Sequence, residues 1–397
     1  MSDARIYLDH AATAPLRPEA RDAWIETAAT VGNASSIHGA GQHARRVLEE
    51  ARERLAAVVE ADPIEVVFTS GGTEAVNLAV KGLWWARGAD ADAVVLPDGE
   101  HHATLDAVEW LEAQGAILRH VGIDRTARIR SEAFAAALPG AALATALVAN
   151  NEAGTVNDAA ALSEAAADAG VPLHLDAVAA FGHVPVSFRD WRGDARGRAG
   201  LAAMSVSAHK IGGPAGVGAL VVARGAELTA LLHGGGQQRR LRAGTQDVPG
   251  AVAFAVAAEL AEAERVAEAE RLTVLRERLV RSIRNAIPDA ELLGDPIDRV
   301  PGNAHVLLPG ASGETLLFLL DMAGIAVSTG SACQAGVPEP SHVVVAMGRT
   351  DAEARQVLRF TLGRTTSGAD VDALLAVLPD VVERARAASG PRSGTGS

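Results

Sequence analysis

The sequence predicts an α/β protein in which a mostly parallel, doubly wound sheet is joined to a smaller α+β domain. Short apolar runs alternate with helical patterns over residues 64–222, which is typical of repeated β-α units. The pattern then changes to one long Ala/Glu/Arg helical stretch followed by mixed elements. We therefore expect a large domain over residues 16–254, a small domain formed by residues 1–15 and 255–387, and a disordered tail over residues 388–397.

Each element is predicted from local periodicity and from the turn residues at its ends. Short apolar runs predict strands at residues 6–12, 64–69, 93–96, 117–120, 146–149, 172–175, 201–206, 218–222, 304–308, 325–328 and 357–361. Helical spacing of apolar residues predicts helices from about residue 18, over 40–60, from the turn at 70–74 to 85, and over 103–114, 131–138, 159–169 and 252–286. Ligands of a doubly wound sheet bind at the carboxyl ends of its strands, so the residues that follow each strand are candidates for a site.

The composition is typical of a protein that works in water. Of the 397 residues, 48% are hydrophobic, which is enough for a sizeable core, and the net charge is −13. This charge argues against nucleic acid or an anionic membrane as a partner, and no apolar run approaches the length of a membrane span. Cys333 is the sole cysteine and the N-terminus lacks a signal-peptide pattern, so we expect a cytoplasmic protein without internal disulfides.

Lys210 is a candidate for chemistry because it follows a predicted buried strand. The apolar run at residues 201–206 leads into Ser207, His209 and Lys210, and a glycine-rich turn comes next. Burying an ammonium is costly, and condensation of the amine with an aldehyde, for which pyridoxal phosphate is the common choice, removes that charge. Ser207 and His209 would then face the phosphate of the cofactor. The alternative is an ordinary solvent-exposed lysine beside a turn.

Two further strand ends suit the same cofactor. Gly72 and Thr73 lie between a strand and a helix N-terminus, where backbone N–H groups favour a phosphate. The alternative is that Thr73 only caps the helix. Asp176 ends a buried strand and would pair with a pyridinium nitrogen, or it would instead cap a helix that begins at Ala177.

Other polar residues that follow strands are candidates as well. His101 lies in a Glu-His-His turn, where a flat imidazole can stack on a ring, although such a pair is also common in plain polar loops. Asn151 follows a strand within an Asn-Asn-Glu segment. The glycine-rich segment at residues 233–236 predicts a loop.

Cys333 and Arg359 are candidates because of where they stand in the sequence. Cys333 lies among small polar residues, so its thiol is expected to be accessible, whereas a lone cysteine is more usually a small buried hydrophobe. Arg359 lies within an apolar strand, and a buried arginine requires an anion. That anion is either a substrate carboxylate, bound in bidentate geometry, or the acidic partner of a structural ion pair.

With these motifs in place, the chain resembles the cysteine desulfurases, which are pyridoxal-phosphate enzymes of the class V aminotransferase family. The resemblance runs over nearly the whole chain. The motifs that carry it are at residues 7–13, 32–36, 68–74, 100–102, 150–152, 209–210, 233–236, 244–245, 330–333, 340–343, 346–348 and 358–364. It implies the fold type I of pyridoxal-phosphate-dependent transferases.

The resemblance also implies a role for each candidate in holding the cofactor. Lys210 would bind it covalently, Asp176 would pair with its pyridine nitrogen, and His101 would stack on its ring and transfer protons. Its phosphate would be held by Gly72, Thr73, Ser207 and His209. Thr245 would reach the phosphate of the other subunit, which implies a homodimer with shared sites.

The implied substrate is L-cysteine. Asn151 would lie near the ring and the substrate, and Asn33 with Arg359 would bind the substrate carboxylate. Cys333 would take the sulfur as a persulfide, leaving L-alanine, and would pass it to an acceptor such as an iron–sulfur scaffold or a sulfur carrier. The alternatives are a selenocysteine lyase, another carbon–sulfur lyase, or a cofactor-binding scaffold with low activity. No metal site is expected.

Two positions depart from the family pattern. Ala179 stands where the family usually has a glutamine that hydrogen-bonds to the phenolic oxygen of the cofactor. An alanine makes no such bond, so the electronic properties of the bound cofactor are expected to differ. The second departure is Ala215, where a lysine is common.

Overall fold

A seven-stranded sheet forms the centre of the molecule. The computed structural model describes residues 5–89, 91–330 and 339–389. The strands, in their order across the sheet, are β2 (Val66–Thr69), β8 (Gly218–Val222), β7 (Gly200–Ser207), β6 (Pro172–Asp176), β5 (Ala141–Leu147), β3 (Ala93–Pro97) and β4 (Ile117–Val121). Strand β8 is antiparallel to both of its neighbours, β2 and β7, and the five strands from β7 to β4 run parallel to one another. This arrangement confirms the predicted α/β class with a mostly parallel sheet.

Helices cover both faces of this sheet. They are α1 (Pro18–Ala28), α2 (Gly39–Val58), α3 (Gly72–Trp85), α4 (His102–Glu112), α5 (Ser131–Ala137), α6 (Ala159–Asp168) and α7 (Phe188–Arg192). Alternate residues of β2 point to opposite faces, so Val66 and Phe68 pack in one apolar cluster and Val67 packs in the other, together with α3 and α4. The strands are buried on both sides because the crossover helices lie on both sides.

A second, smaller apolar core surrounds an antiparallel sheet of three strands. Its order is β12 (Val357–Thr361), β10 (Asn303–Leu307) and β9 (Glu291–Leu293). Two short strands, β1 (Ile6–Tyr7) and β11 (Ile325–Ala326), pair in parallel beside it. Four further helices are α9 (Gly313–Met322), α10 (His342–Ala346), α11 (Asp351–Ala354) and α12 (Gly368–Ser389).

The helix α8 (Val248–Ala286) connects the two cores. Its first half buries residues such as Phe254 and Ala261 against the large sheet, and its second half buries Leu272 and Ile283 in the smaller core. The predicted domain boundary at residues 254–255 falls inside this continuous helix, and the domain limits stay a prediction.

Several predicted bounds differ from the structure for local reasons. The strand predicted at residues 146–149 is β5, which begins at Ala141 and ends at Leu147, because residues 141–149 are apolar except for Thr145 and contain no turn residue to mark the limits of the strand. The short elements α7 and β9 were not predicted. Helix α12 continues to Ser389, past the predicted start of the tail, and residues 390–397 lie outside the described residues.

Within the part of the chain that the structure describes, no helix combines the length and the apolar character that a membrane span requires. The expected homodimer and cytoplasmic location stay predictions.

Candidate cofactor and active site

An open cavity of about 750 Å³ lies at the carboxyl ends of the central strands. Its lining consists of Ala12, Gly72, Thr73, Val76, His101, Ala103, Leu147, Asn151, Asp176, Val178, Ala179, His209 and Lys210. Seven of the predicted site residues are therefore brought together in one place, as the topology of a doubly wound sheet requires.

Lys210 reaches this cavity from the turn that follows β7. Its Nζ donates a hydrogen bond to the backbone oxygen of Ala11, a residue of the N-terminal segment. Burial, with a further contribution from the charge of Arg359, lowers the pKa of Lys210 to about 8, although Asp176 and Asp9 oppose the shift. The amine is therefore much more readily deprotonated than an ordinary lysine, as a nucleophilic amine requires.

Asp176 is the last residue of β6 and is only 3% exposed. Its Oδ1 accepts a hydrogen bond of 2.9 Å from the backbone N–H of Val178. No helix begins at Ala177, so the alternative role of Asp176 as a helix cap is wrong. Burial raises the pKa of Asp176 to about 6, and the Val178 N–H and the charge of Lys210 limit that rise. A buried carboxylate of this kind gains most from a cationic partner.

The N-terminus of α3 forms one end of the cavity. The helix begins at Gly72 with Gly71 as its cap, so Thr73 lies inside the first turn and its predicted alternative as N-cap is wrong. A Cβ built at Gly72 would lie 2.8 Å from Cγ2 of Val178 and 3.7 Å from Cβ of Ser207, so only glycine fits this close approach. First-turn N–H groups without an intrahelical partner therefore face the cavity and favour an anion.

Ser207 and His209 lie beside this helix N-terminus. The Ser207 Oγ is buried and has no hydrogen-bond partner among the described residues. A buried hydroxyl without a partner is costly, so it indicates a place for a ligand with acceptor oxygens. Burial, and to a smaller degree Lys210, lowers the pKa of His209 to about 4, so this imidazole is neutral and acts here as a hydrogen-bonding group.

His101 is the N-cap residue of α4. Its Nδ1 accepts a hydrogen bond of 3.0 Å from the N–H of Ala103. Burial is the main cause that lowers the pKa of His101 to about 4, with Lys210 contributing next. Because Nδ1 is the acceptor, the neutral ring carries its proton on Nε2. His101 is thus held in one tautomer at the cavity.

Arg359 on β12 lies behind Asn151 and does not line the cavity. Its Nη2 forms an ion pair of 2.9 Å with Asp9 Oδ1, and its Nη1 donates to the backbone oxygen of Asn151 at 2.8 Å. The structural ion pair, one of the two alternatives for this residue, is therefore present. Arg359 Nε is buried without a hydrogen-bond partner in the described part of the chain, so one donor is left over.

Two further predicted residues, Asn33 and Thr245, lie away from the cavity of a single chain. Asn33 lies in an exposed loop, where its Oδ1 accepts from the N–H of Ser35 at 2.9 Å. Thr245 is exposed and lines a separate cavity of about 480 Å³ that also contains Ser70. Cys333 lies outside the described residues.

Some of the residues around the site were not predicted from the sequence. Glu100 is fully buried, and its Oε1 accepts from the N–H of Leu147 at 2.9 Å. Burial raises the pKa of Glu100 to about 8, and the charge of Asp176 adds to this rise. The only signal in the sequence was the position of Glu100 in the Glu-His-His turn. Asp9, the partner of Arg359, carried no signal of its own.

The side chains of the cavity fit pyridoxal phosphate. An amine with a lowered pKa suits its aldehyde, a buried carboxylate suits its ring nitrogen, and a helix N-terminus beside an unpartnered hydroxyl suits its phosphate. Within the described ranges, no group of three or more His, Cys, Asp or Glu side chains is placed to hold a metal ion.

Comparison with known proteins agrees with this assignment. The family profile described as "Aminotransferase class-V" matches residues 6–374. The IscS-like cysteine desulfurase of Mycobacterium tuberculosis is 47% identical over 98% of this chain and 99% of its own length.

Solved structures show the same relationship. One described as "NIFS-LIKE PROTEIN" covers 96% of this chain and 100% of its own, with a TM-score of 0.88 and 29% identity. One described as "SspA in complex with cysteine" covers 90% of this chain and 98% of its own, with a TM-score of 0.78 and 29% identity. The profile and the full-length relative show that the chain belongs to the cysteine desulfurases of the class V aminotransferase family.

Proposed function

We propose that this cysteine desulfurase works through pyridoxal phosphate bound in the Lys210 cavity and transfers the sulfur of L-cysteine to Cys333. Membership of the family implies the cofactor. The observation that carries the proposal is the meeting of the Lys210 amine, the buried Asp176 carboxylate and the helix N-terminus at Gly72 around one cavity. The unpartnered Ser207 hydroxyl lies next to Gly72. A solved relative that was captured with cysteine supports this substrate.

Lys210 has two tasks in the proposed mechanism. It would hold the aldehyde carbon of the cofactor and, once the substrate amine has displaced it, take the proton from the substrate Cα. Its lowered pKa leaves a useful fraction of neutral amine near neutral pH. When bound, the cofactor withdraws electrons from the Cα of the amino acid, which makes that proton easier to remove.

The other cavity residues would bind and orient. Asp176 would hold a proton on the ring nitrogen, and Gly72, Thr73, Ser207 and His209 would fix the phosphate. The ring of His101, neutral and protonated on Nε2, would lie against the cofactor and exchange a proton with the reacting groups. Asn151 lines the cavity, and Arg359 with Asn33 would bind the substrate carboxylate, for which Arg359 Nε is the donor left over.

Cys333 would take the sulfur. Its thiolate would form a sulfur–sulfur bond to the substrate, and the Cβ–S bond would break with its electron pair left on carbon. A proton then completes the methyl group of L-alanine, and the enzyme holds a persulfide. An acceptor protein, such as an iron–sulfur scaffold or a sulfur carrier, would remove this sulfur in the cytoplasm.

The active unit would be a homodimer. Thr245 is exposed and lies outside the Lys210 cavity of its own chain, which supports a role at the phosphate of a second copy.

The test uses the fact that the chain contains only two lysines, Lys81 and Lys210. Borohydride reduction of the yellow holoenzyme should fix the cofactor on Lys210, with Lys81 as the internal control. Mass spectrometry after addition of cysteine should show added sulfur on Cys333. Cys333→Ala should keep the cofactor absorbance but lose alanine formation by orders of magnitude. A label on Lys81, or near-normal alanine formation by the variant, would contradict the proposal and favour direct elimination by a lyase.

A further inference from the structure

Glu152 is a buried side chain to which the proposed mechanism gives no role. It is 1% exposed and follows Asn151, which lines the cofactor cavity. Both backbone polar groups of Glu152 are bonded: its N–H donates to Asn150 Oδ1 at 3.0 Å, and its backbone carbonyl oxygen accepts from Asn303 Nδ2 at 3.2 Å. The backbone from which this side chain projects is therefore held in place beside Asn151.

The carboxyl group of Glu152 contacts residues from both sides of the segment that contains Cys333. Its Oε2 accepts a hydrogen bond of 2.5 Å from Ser341 Oγ. On the other side, a Cβ built at Gly330 would lie 3.0 Å from the same oxygen and 3.3 Å from His305 Nε2. Gly330, which has a φ of +92°, is the last described residue before Cys333. Ser341, only three residues into the next described range, is fully buried.

A second contact holds the same downstream flank. His342 Nε2 lies 2.9 Å from the backbone oxygen of Glu100, and its ring centroid is 4.9 Å from that of His102. Ser341 and His342 therefore rest on the two loops that bring Asn151 and His101 to the cofactor cavity.

The chemistry of this contact is unusual for a purely structural one. Burying a carboxyl group is costly, and a hydroxyl partner compensates for that cost less well than a cation does. An apolar side chain at this position would avoid the cost altogether. The presence of a carboxyl group at residue 152 is therefore better explained by the geometry of its contacts than by their contribution to stability. An acceptor oxygen at this point binds Ser341 and lies close to Gly330, where an added Cβ would approach it to 3.0 Å.

We propose that Glu152 is a positioning residue for sulfur transfer, which binds the downstream flank of the Cys333 segment through Ser341 and lies beside its upstream flank at Gly330. This inference rests on the proposed function of Cys333. Fixed flanks raise the effective concentration of a tethered nucleophile at the site, and loss of one anchor lowers it.

The test compares two partial reactions of the holoenzyme. Glu152→Ala and Ser341→Ala should each slow persulfide formation on Cys333 at least tenfold in single-turnover mass spectrometry. Exchange of the Cα hydrogen of L-alanine with deuterium, which needs Lys210 but not Cys333, should change no more than twofold. A general loss of structure would reduce both reactions together. Glu152→Gln, which keeps an acceptor oxygen, should recover part of the rate.

A double variant of Glu152 and Ser341 and a matched control variant complete the test. The double variant should be no slower than the slower single variant, because both changes break one link. Glu314→Gln makes the same chemical change at an exposed position of α9 and should leave both reactions unchanged. Unchanged persulfide formation in Glu152→Ala would overturn this inference alone. So would an equal loss of both partial reactions in Glu152→Ala, Ser341→Ala and the double variant. Absence of persulfide on Cys333 in the unmutated enzyme would overturn the proposed function and this inference with it.

Discussion

Lys210 differs from a typical lysine through its surroundings and also through its rarity. Only two of the 36 basic side chains are lysines, so the protein uses arginine almost everywhere that a positive charge is sufficient. Arginine stays protonated in proteins, whereas a lysine amine can lose its proton and become a nucleophile. The lysine at residue 210 is therefore a sign of amine chemistry that the sequence already contained.

The lowered pKa of Lys210 predicts how the cofactor-free protein captures pyridoxal phosphate. The neutral amine reacts, and its fraction rises with pH up to a pKa of about 8 instead of the ordinary 10.5. The capture rate should rise about tenfold per pH unit below pH 7 and level off above pH 8 to 9. Stopped-flow absorbance would measure it, with Lys210→Ala as the control that captures nothing. A rate that still climbs steeply at pH 10 would contradict the shift.

Ala179 is the departure from the family pattern that lies at the site itself. It lines the cofactor cavity and also a neighbouring cavity of about 470 Å³, which shares Lys210 and Asn151 with the first. Ala179→Gln should fill part of this space and supply an amide donor, so the absorbance maximum of the bound cofactor and its pH titration should shift.

The second departure offers the control. Ala215 is exposed and does not line the cofactor cavity, so Ala215→Lys should leave the visible spectrum unchanged. If the spectrum of Ala179→Gln also stays unchanged across the titration, another group already supplies the missing hydrogen bond.

At the scale of elements, the start of α3 determines how the phosphate is held. Gly72→Ala would push a methyl group against Val178 and displace the helix N-terminus. The Kd for pyridoxal phosphate should rise at least tenfold, while binding of pyridoxal, which has no phosphate, should change little. Spectroscopic titration measures both values.

A glycine at the start of another helix provides the matched control. Gly39 is the first residue of α2, and a Cβ there would have no atom within 4 Å. Gly39→Ala should therefore leave both affinities unchanged. Equal affinities of Gly72→Ala and the unmutated protein for pyridoxal phosphate would remove this helix N-terminus from the phosphate site.

The elements also show what a sequence can and cannot predict. The bounds predicted for β8 and β12 agree with the structure, because a glycine follows each strand closely, Gly225 after β8 and Gly363 after β12. The cavity residues at the strand ends were predictable, since parallel strands bring their carboxyl ends together. The contact between Arg359 and Asp9 was not, because it joins residues 350 positions apart and depends on how the small sheet packs.

At the scale of the whole molecule, the prediction concerns assembly. If Thr245 completes the phosphate site of a second copy, the loaded enzyme should be a dimer by light scattering. Thr245→Ala should lose cofactor faster on dialysis than the unmutated enzyme, because the variant removes one phosphate ligand. A fully loaded and active monomer would rule out shared sites.

The continuous helix α8 has a consequence for the way this protein tolerates changes in chain length. Its 39 residues span about 58 Å at 1.5 Å per residue, and it has buried contacts with the large sheet up to Ala261 and with the smaller core from Leu272 onward. Each inserted or deleted residue between these points would rotate one core about the helix axis by about 100° relative to the other. Packing on both cores therefore fixes the number of residues between Ala261 and Leu272, and we expect insertions and deletions to be tolerated in loops instead of here.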